Sequence, residues 1–234
     1  MASAALVAGS SSANAKKPML LESVETGASG IAKIAAGGLS LFVRLEFWES
    51  LDHEVERLVA GAELGEDEVV DLVLAAKTTE AEARGASLLG RAEQPRFPLR
   101  AKLIERGYPD RAVALALDRL EAEGFLSDSR YAEAWLRMRV DRAIRGASGH
   151  GGRAEGPSSL LLSIRARSVS EALAKAALAE VLDPDTRLAL LEASARRLSL
   201  PDRKSGAAPR GDEVRGELRA LGFSGEEIRE FMEG

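Results

Sequence analysis

The chain has 234 residues, a mass of 24.9 kDa, no cysteine, 4% aromatic residues and a formal net charge of −5. The absence of cysteine excludes disulfides, thiolate metal sites and thiol nucleophiles together and fits a reducing cytoplasm, and the acidic total argues against polyanion binding by the whole surface. Alanine, leucine, glutamate and arginine dominate, which favours helices around an aliphatic core, and the length suits one large domain or two small ones.

Residues Met1 to Asn14 are small and polar around a brief apolar stretch, and Lys16 and Lys17 follow that stretch, the reverse of the order in a signal peptide. No run approaches the roughly 20 apolar residues of a membrane span. The expectation is a cytoplasmic protein with a disordered leader over residues 1–29. Leu39, Leu41, Val43, Leu45 and Phe47 then occupy alternate positions, the period of a strand with one buried face. Gly37-Gly38 separates them from a weaker strand candidate, Ile31 to Ala35, and suits a tight turn at positive φ. A β-hairpin is expected here, packed on another strand or on a short helix from Ser50 to Leu58, and residues 30–75 form a small region of their own.

Beyond Gly61 the pattern turns helical. Glu66, Asp67 and Glu68 place negative charge at a helix start, and Thr78 or Thr79 is a candidate cap for a further helix to about Gly90. Pro98 stands in the first turn of the next helix, Gly107 is a candidate left-handed C-cap, and another helix spans Asp110 to Glu123. Leu99, Leu103, Gly107 and Tyr108 share their spacing with Leu160, Ile164, Ser168 and Val169, and with Val214, Leu218, Gly222 and Phe223. A second helix follows each set, from near Asp110, Ser170 and Ser224. An earlier helix precedes each, at Thr79 to Leu89, Asp128 to Arg145 and Asp185 to Leu198. The sequence therefore predicts a mainly α fold: three tandem three-helix repeats, over residues 76–126, 127–183 and 184–234, in an elongated array after the N-terminal hairpin. The period is too long for tetratricopeptide or ankyrin units of roughly 33 to 34 residues. Glycine-rich stretches at residues 146–156 and 203–211 are expected to be mobile loops.

The segment Gly124-Phe-Leu-Ser-Asp-Ser-Arg-Tyr-Ala-Glu-Ala-Trp135 carries a capping residue, a helix start and then Tyr131, Trp135 and Met138 along one stripe. It resembles the central signature of the RecX family, regulators of the RecA recombinase, with Gly124, Asp128, Tyr131, Ala132 and Trp135 at matching positions and Ser127 where the family has an aspartate. Leu103 and Gly107 resemble the family's first-repeat helix, although Pro95 and Pro98 depart from it. Gly156-Pro157 and the segment from Leu160 to Val169 resemble the start of the second repeat's middle helix. The likeness implies a protein that binds the RecA nucleoprotein filament along its groove and modulates its ATPase and strand exchange, in the inhibitory direction. The implied partner is the RecA filament, with DNA within it; a monomer without cofactor or metal is expected.

The candidate contact residues for RecA or DNA are Arg130, Arg137, Arg139, Arg142, Arg145 and Arg165. For Arg130 and Arg137 the alternative is a solvated face with intrahelical ion pairs. Arg139 and Arg142 project toward the apolar arc, where the alternative is snorkelling or pairing with carboxylates of the next unit. Tyr131 and Trp135 could stack on bases, but at helical spacing they read as core. His53 and His150 are remote from one another, and neither a zinc or triad site nor a nucleotide-binding glycine loop is present in the sequence, so no enzyme activity is expected. Direct DNA binding through a recognition helix, and a helical scaffold for another protein, are the competing functions.

Overall fold

The structure is a computed structural model that describes residues 18–146, 153–200 and 209–233. Two compact units separate: one runs to Arg91 and includes Arg100–Glu123, and the other comprises Ala92–Leu99 and the chain from Gly124 onward.

The first unit begins with a four-stranded antiparallel sheet in the order β3-β2-β1-β4, formed by β1 (Met19–Thr26), β2 (Ile31–Ala36), β3 (Leu39–Arg44) and β4 (Glu63–Leu64). The expected hairpin is its β2-β3 pair. Ala36 faces Leu39, and Gly37 and Gly38 turn at φ +57° and +75°, the geometry of a two-residue hairpin loop. Strand β1 falls within the stretch expected to be a disordered leader. Its sequence, MLLESVET, shows no regular alternation and carries a register shift between Leu21 and Ser23, so its strand character comes from pairing with β2 and β4. Residues 1–17 of that leader lie outside the described residues.

Strand β3 stops at Arg44, short of Phe47, and helix α1 covers Leu45–Glu49. Phe47 and Trp48 are both buried, which a strand with only one buried face does not give to adjacent residues because they point to opposite faces; a helical turn lets both reach the core. The helix expected over Ser50 to Leu58 is instead a turn, with Asp52 at φ +65°, and a single 3₁₀ turn at Val55–Arg57.

Helix α2 is continuous over Glu66–Leu89, where two helices were expected. Its start is as read: the Gly65 N–H donates to the Glu68 carboxylate at 2.8 Å, and that bond, with Arg57, holds the Glu68 carboxyl below the usual range. Thr78 and Thr79 do not cap. Their hydroxyls donate back to the Leu74 and Ala75 carbonyls at 2.8 and 2.9 Å, a bond that leaves the helix unbroken. One face of the sheet (Leu21, Ala32, Ile34, Val43) shares a core with Leu72, Ala75 and Ala76 of α2 and with Trp48.

From α2 on, the same three-helix order appears three times: α2, α3 (Arg96–Glu105) and α4 (Asp110–Ala122); α5 (Asp128–Arg145), α6 (Pro157–Arg165) and α7 (Glu171–Val181); α8 (Pro184–Leu198), α9 (Gly211–Ala220) and α10 (Gly225–Glu233). The spacing read in the sequence marks the middle helix and its exit. Leu99 and Leu103, Leu160 and Ile164, and Val214 and Leu218 are all buried, and Gly107, Ser168 and Gly222 all stand at positive φ, +87°, +67° and +95°. Each left-handed residue ends its helix and turns the chain into the third one. In the first unit α4 packs on α2, where Gly85 permits the approach: a Cβ there would stand 2.8 Å from Leu120 Cδ1. In the second unit α5 to α10 share one core, from Ala132, Leu136 and Val140 to Leu218 and Phe223. Of the two glycine-rich stretches, residues 147–152 and 203–208 lie outside the described residues.

Candidate functional site

The signature residues mostly fix geometry. Ser127 caps α5 by accepting the Arg130 N–H at 3.2 Å, and Asp128 Oδ1 accepts the Arg96 N–H at 2.7 Å, joining the start of α5 to the start of α3. Gly124 turns at φ +76°. Ala132 is buried with Leu136 and Val140, at i, i+4 and i+8, and this stripe is the inner face of α5.

Tyr131 and Trp135 flank that stripe and are half-buried against the same core. Arg167 bridges them: its guanidinium lies 4.8 Å from the Trp135 ring centroid, and Nη1 donates to the Tyr131 hydroxyl at 3.3 Å. Met138, expected on the same buried stripe, is 48% exposed. Two residues after Leu136 it stands about 200° round the helix, nearly opposite the core.

The six candidate arginines divide into three kinds. Arg130 is engaged within the protein, paired with Glu93 and donating to the carbonyls of Gly124 and Phe125 at 3.0 and 3.2 Å. Arg137, Arg145 and Arg165 lie on open surface, bonded to Glu133 at 3.1 Å, Asp141 at 2.7 Å and Glu171 at 3.3 Å. Exposed pairs of this kind contribute little and open readily to a partner. Arg139 and Arg142 come together at the C-terminal end of α5, where they line a cavity of about 260 Å³ with Arg153, Glu155 and Arg197.

Glu155 organises that cavity. Its side chain is only 7% exposed; one carboxylate oxygen accepts from Arg139 Nε at 3.0 Å and the other from the Ser159 hydroxyl at 3.0 Å. Its backbone exchanges hydrogen bonds with the buried Ser194 of α8. The carboxylate that pairs Arg139 thus precedes α6 in the second repeat and does not come from the next one. Arg153 and Arg197 were not among the residues singled out in the sequence, because one sits inside the glycine-rich stretch 146–156 and the other closes a helix of the third repeat.

The third repeat is tied to itself by Arg187 of α8. Its guanidinium pairs with Glu227 of α10, donates to the Gly222 carbonyl at 3.3 Å and lies 5.9 Å from the Phe223 ring centroid. The pair with Arg187, helped by the Ser224 N–H and hydroxyl, holds the Glu227 carboxyl down to about 2.

His53 lies in the turn after α1 and not on a helix. It stacks on Trp48 with ring centroids 4.0 Å apart, and its Nε2 is 2.9 Å from Asp71. His150 lies outside the described residues. Among the described residues no group of three or more His, Asp or Glu side chains converges to hold a metal, and no helix is long and apolar enough to cross a membrane.

No family model matches the chain. It is 31% identical over 145 residues to the regulatory protein RecX of Chromohalobacter salexigens, a match covering 62% of this chain and 86% of that protein. The RecX of Treponema pallidum is 36% identical over 104 residues, 44% of this chain and 57% of that protein. That of Pseudomonas entomophila is 50% identical over 52 residues, 22% and 34%. Among solved structures, a crystal structure of regulatory protein RecX covers 92% of this chain and 100% of its own, with TM-score 0.65 and 20% identity. The RecX structure from Lactobacillus salivarius covers 67% and 95%, with TM-score 0.52 and 17% identity. At those identities the structures show a shared fold.

Proposed function

Because the chain belongs to the RecX family of regulatory proteins, we propose that it binds the RecA nucleoprotein filament, with the DNA inside it, and lowers its ATPase and strand-exchange activity in recombination and DNA repair. The observation that carries this reading is the match over most of the length of the Chromohalobacter protein, with the same helical fold in solved relatives. In this reading the protein is a cytoplasmic monomer that catalyses no reaction of its own. The repeats at 76–126, 127–183 and 184–234 are its working units, and the contact residues are drawn from Arg130, Arg137, Arg139, Arg142, Arg145 and Arg165. Of these, Arg137, Arg145 and Arg165 are the ones a partner would engage with least loss, since their present pairs are exposed.

DNA-dependent ATP hydrolysis by RecA on single-stranded DNA tests the proposal. Added chain is expected to slow hydrolysis in a dose-dependent way, and to hydrolyse no ATP alone. An unchanged RecA rate at stoichiometric excess overturns it.

A further inference from the structure

The third repeat leaves a groove open between its outer helices. In the first two repeats the third helix packs along the first, α4 on α2 and α7 on α5, whereas α10 barely touches α8. The space between α8 and α10 amounts to about 570 Å³. Its walls are two stripes at helical spacing: Pro184, Leu188 and Leu191 at i, i+4 and i+7 of α8, and Glu227, Glu230 and Phe231 at i, i+3 and i+4 of α10. Leu182, just after α7, completes the lining. Leu182 and Leu191 are buried and belong to the core of the second unit, while Leu188 is 50% exposed, so the apolar lining runs from the core out to solvent.

The charge of the groove is negative. Arg187 and Glu227 cancel each other: the guanidinium reaches both carboxylate oxygens, and the Gly222 carbonyl takes a further N–H. Glu230 has no hydrogen-bond or ion-pair partner among the described residues, and neither has Glu226, one turn before it on α10. The single cation of α10, Arg229, lines a different pocket beside Arg215 and Arg219. The groove therefore joins an aliphatic wall to a carboxylate that lacks a counter-ion.

We infer that this groove docks a basic amphipathic helix of a partner protein. Its apolar anchors would lie on Leu188, Leu191 and Phe231, and a lysine or arginine would face Glu230. The α8 stripe spans seven residues, about 10 Å of helix, and two turns of a partner helix present anchors at i, i+3 or i+4, and i+7 over the same length. A second copy of the chain is the poorer fit, because a two-fold interface here would set Glu226 and Glu230 against themselves. The inference does not rest on recognition of RecA or on any of the arginines offered to it.

The test uses the full chain without RecA. The probe is a fluorescein-labelled peptide of leucine and lysine with leucines at i, i+3, i+4 and i+7, followed by anisotropy at about 0.15 M salt, where long-range attraction is screened. A leucine and glutamate peptide of the same pattern is the comparison. Leu188→Ser/Glu230→Gln removes the anchor and the charge from the groove; Leu162→Ser/Glu180→Gln removes the same groups from exposed positions on α6 and α7. The lysine peptide is expected to bind below about 100 μM and to gain helicity on binding. The groove pair should weaken it by about tenfold or more, and the surface pair by less than about twofold. Thermal melts by circular dichroism check that both variants fold. The site is refuted if the lysine peptide does not bind below about 1 mM, if the glutamate peptide binds as well, or if both variant pairs lose equally. A dimer in sedimentation equilibrium that Leu188→Ser/Glu230→Gln dissociates would also overturn it, by showing that a second copy fills the groove.

Discussion

Glu82 is the one buried charged residue among those described in the first unit. Its side chain is 8% exposed, with Oε2 2.7 Å from Arg44 Nε and Oε1 3.1 Å from Arg119 Nε; the two arginines are 18% and 20% exposed. Glu82→Gln keeps the shape but leaves one guanidinium facing an amide NH₂, donor against donor. Deleting one partner of a buried pair costs about 3 to 5 kcal/mol. Here the arginines reach some water, and Arg119 keeps Glu46 and Glu123, so the expected loss is about 2 to 3 kcal/mol, near the value of a charged hydrogen bond. The chain has two tryptophans, and Trp48 is fully buried in this unit. In a Trp135→Phe background its emission therefore follows the first unit during urea unfolding. With a slope of about 1.5 to 2 kcal/mol per molar, the midpoint should fall by about 1 to 2 M. The double replacement Arg44→Met/Glu82→Met, which removes both charges, should recover most of the loss. A Glu82→Gln midpoint within about 0.3 M of the parent would refute the assignment of Glu82 as a structural counter-ion.

Ser168 is the one non-glycine residue among the three equivalent left-handed turns, so Ser168→Gly is expected to raise stability by about 0.5 to 1 kcal/mol, measured by thermal unfolding. Gly156→Ala should act in the opposite sense. A Cβ there would stand 2.6 Å from the Leu221 carbonyl oxygen and 2.9 Å from the Phe223 ring, and a loss of about 2 kcal/mol or more in the second unit, read by Trp135 emission, is expected. Glu227 predicts a pH dependence. Its carboxyl lies at about 2 in the fold against 4.5 without its partners, so its contribution is complete above about pH 4.5 and is lost as pH falls toward 2. That loss should amount to about 2 to 3 kcal/mol of second-unit stability, and Glu227→Gln should flatten the decline over that window while costing a similar amount at pH 7.

Sequence spacing revealed the helical repeat because one backbone requirement recurs at one place in it. A left-handed residue must follow the second buried aliphatic of each middle helix, and Gly107, Ser168 and Gly222 supply it. The β2-β3 hairpin was legible for the same reason, since Gly37-Gly38 fixes the turn. Strand β1 was not legible: MLLESVET has no period of its own and becomes a strand through its neighbours. Thr78 and Thr79 misled because a threonine hydroxyl serves a cap or an interior back-bond equally well, and only the burial of both decides between them. Among the candidate arginines, pairs four residues apart, such as Arg137 with Glu133, could be anticipated from helix geometry. The cavity could not, because Arg153 and Arg197 reach it from elements that local patterning does not bring together.

The chain on either side of residues 147–152 is held by contacts that do not pass through that segment. Arg197 grips the Gly146 carbonyl, Glu155 is bonded to Ser194, and Ser158 donates its N–H to the Leu221 carbonyl at 2.8 Å. Helix α6 is therefore docked by its own neighbours, and the number of residues leading to it is nearly a free parameter: doubling such a segment costs only about 0.6 kcal/mol. That makes the stretch between Gly146 and Arg153 a natural place to insert an epitope or a fluorophore-bearing peptide. A label there would be joined at both ends to residues that line the arginine cavity, Gly146 and Arg153.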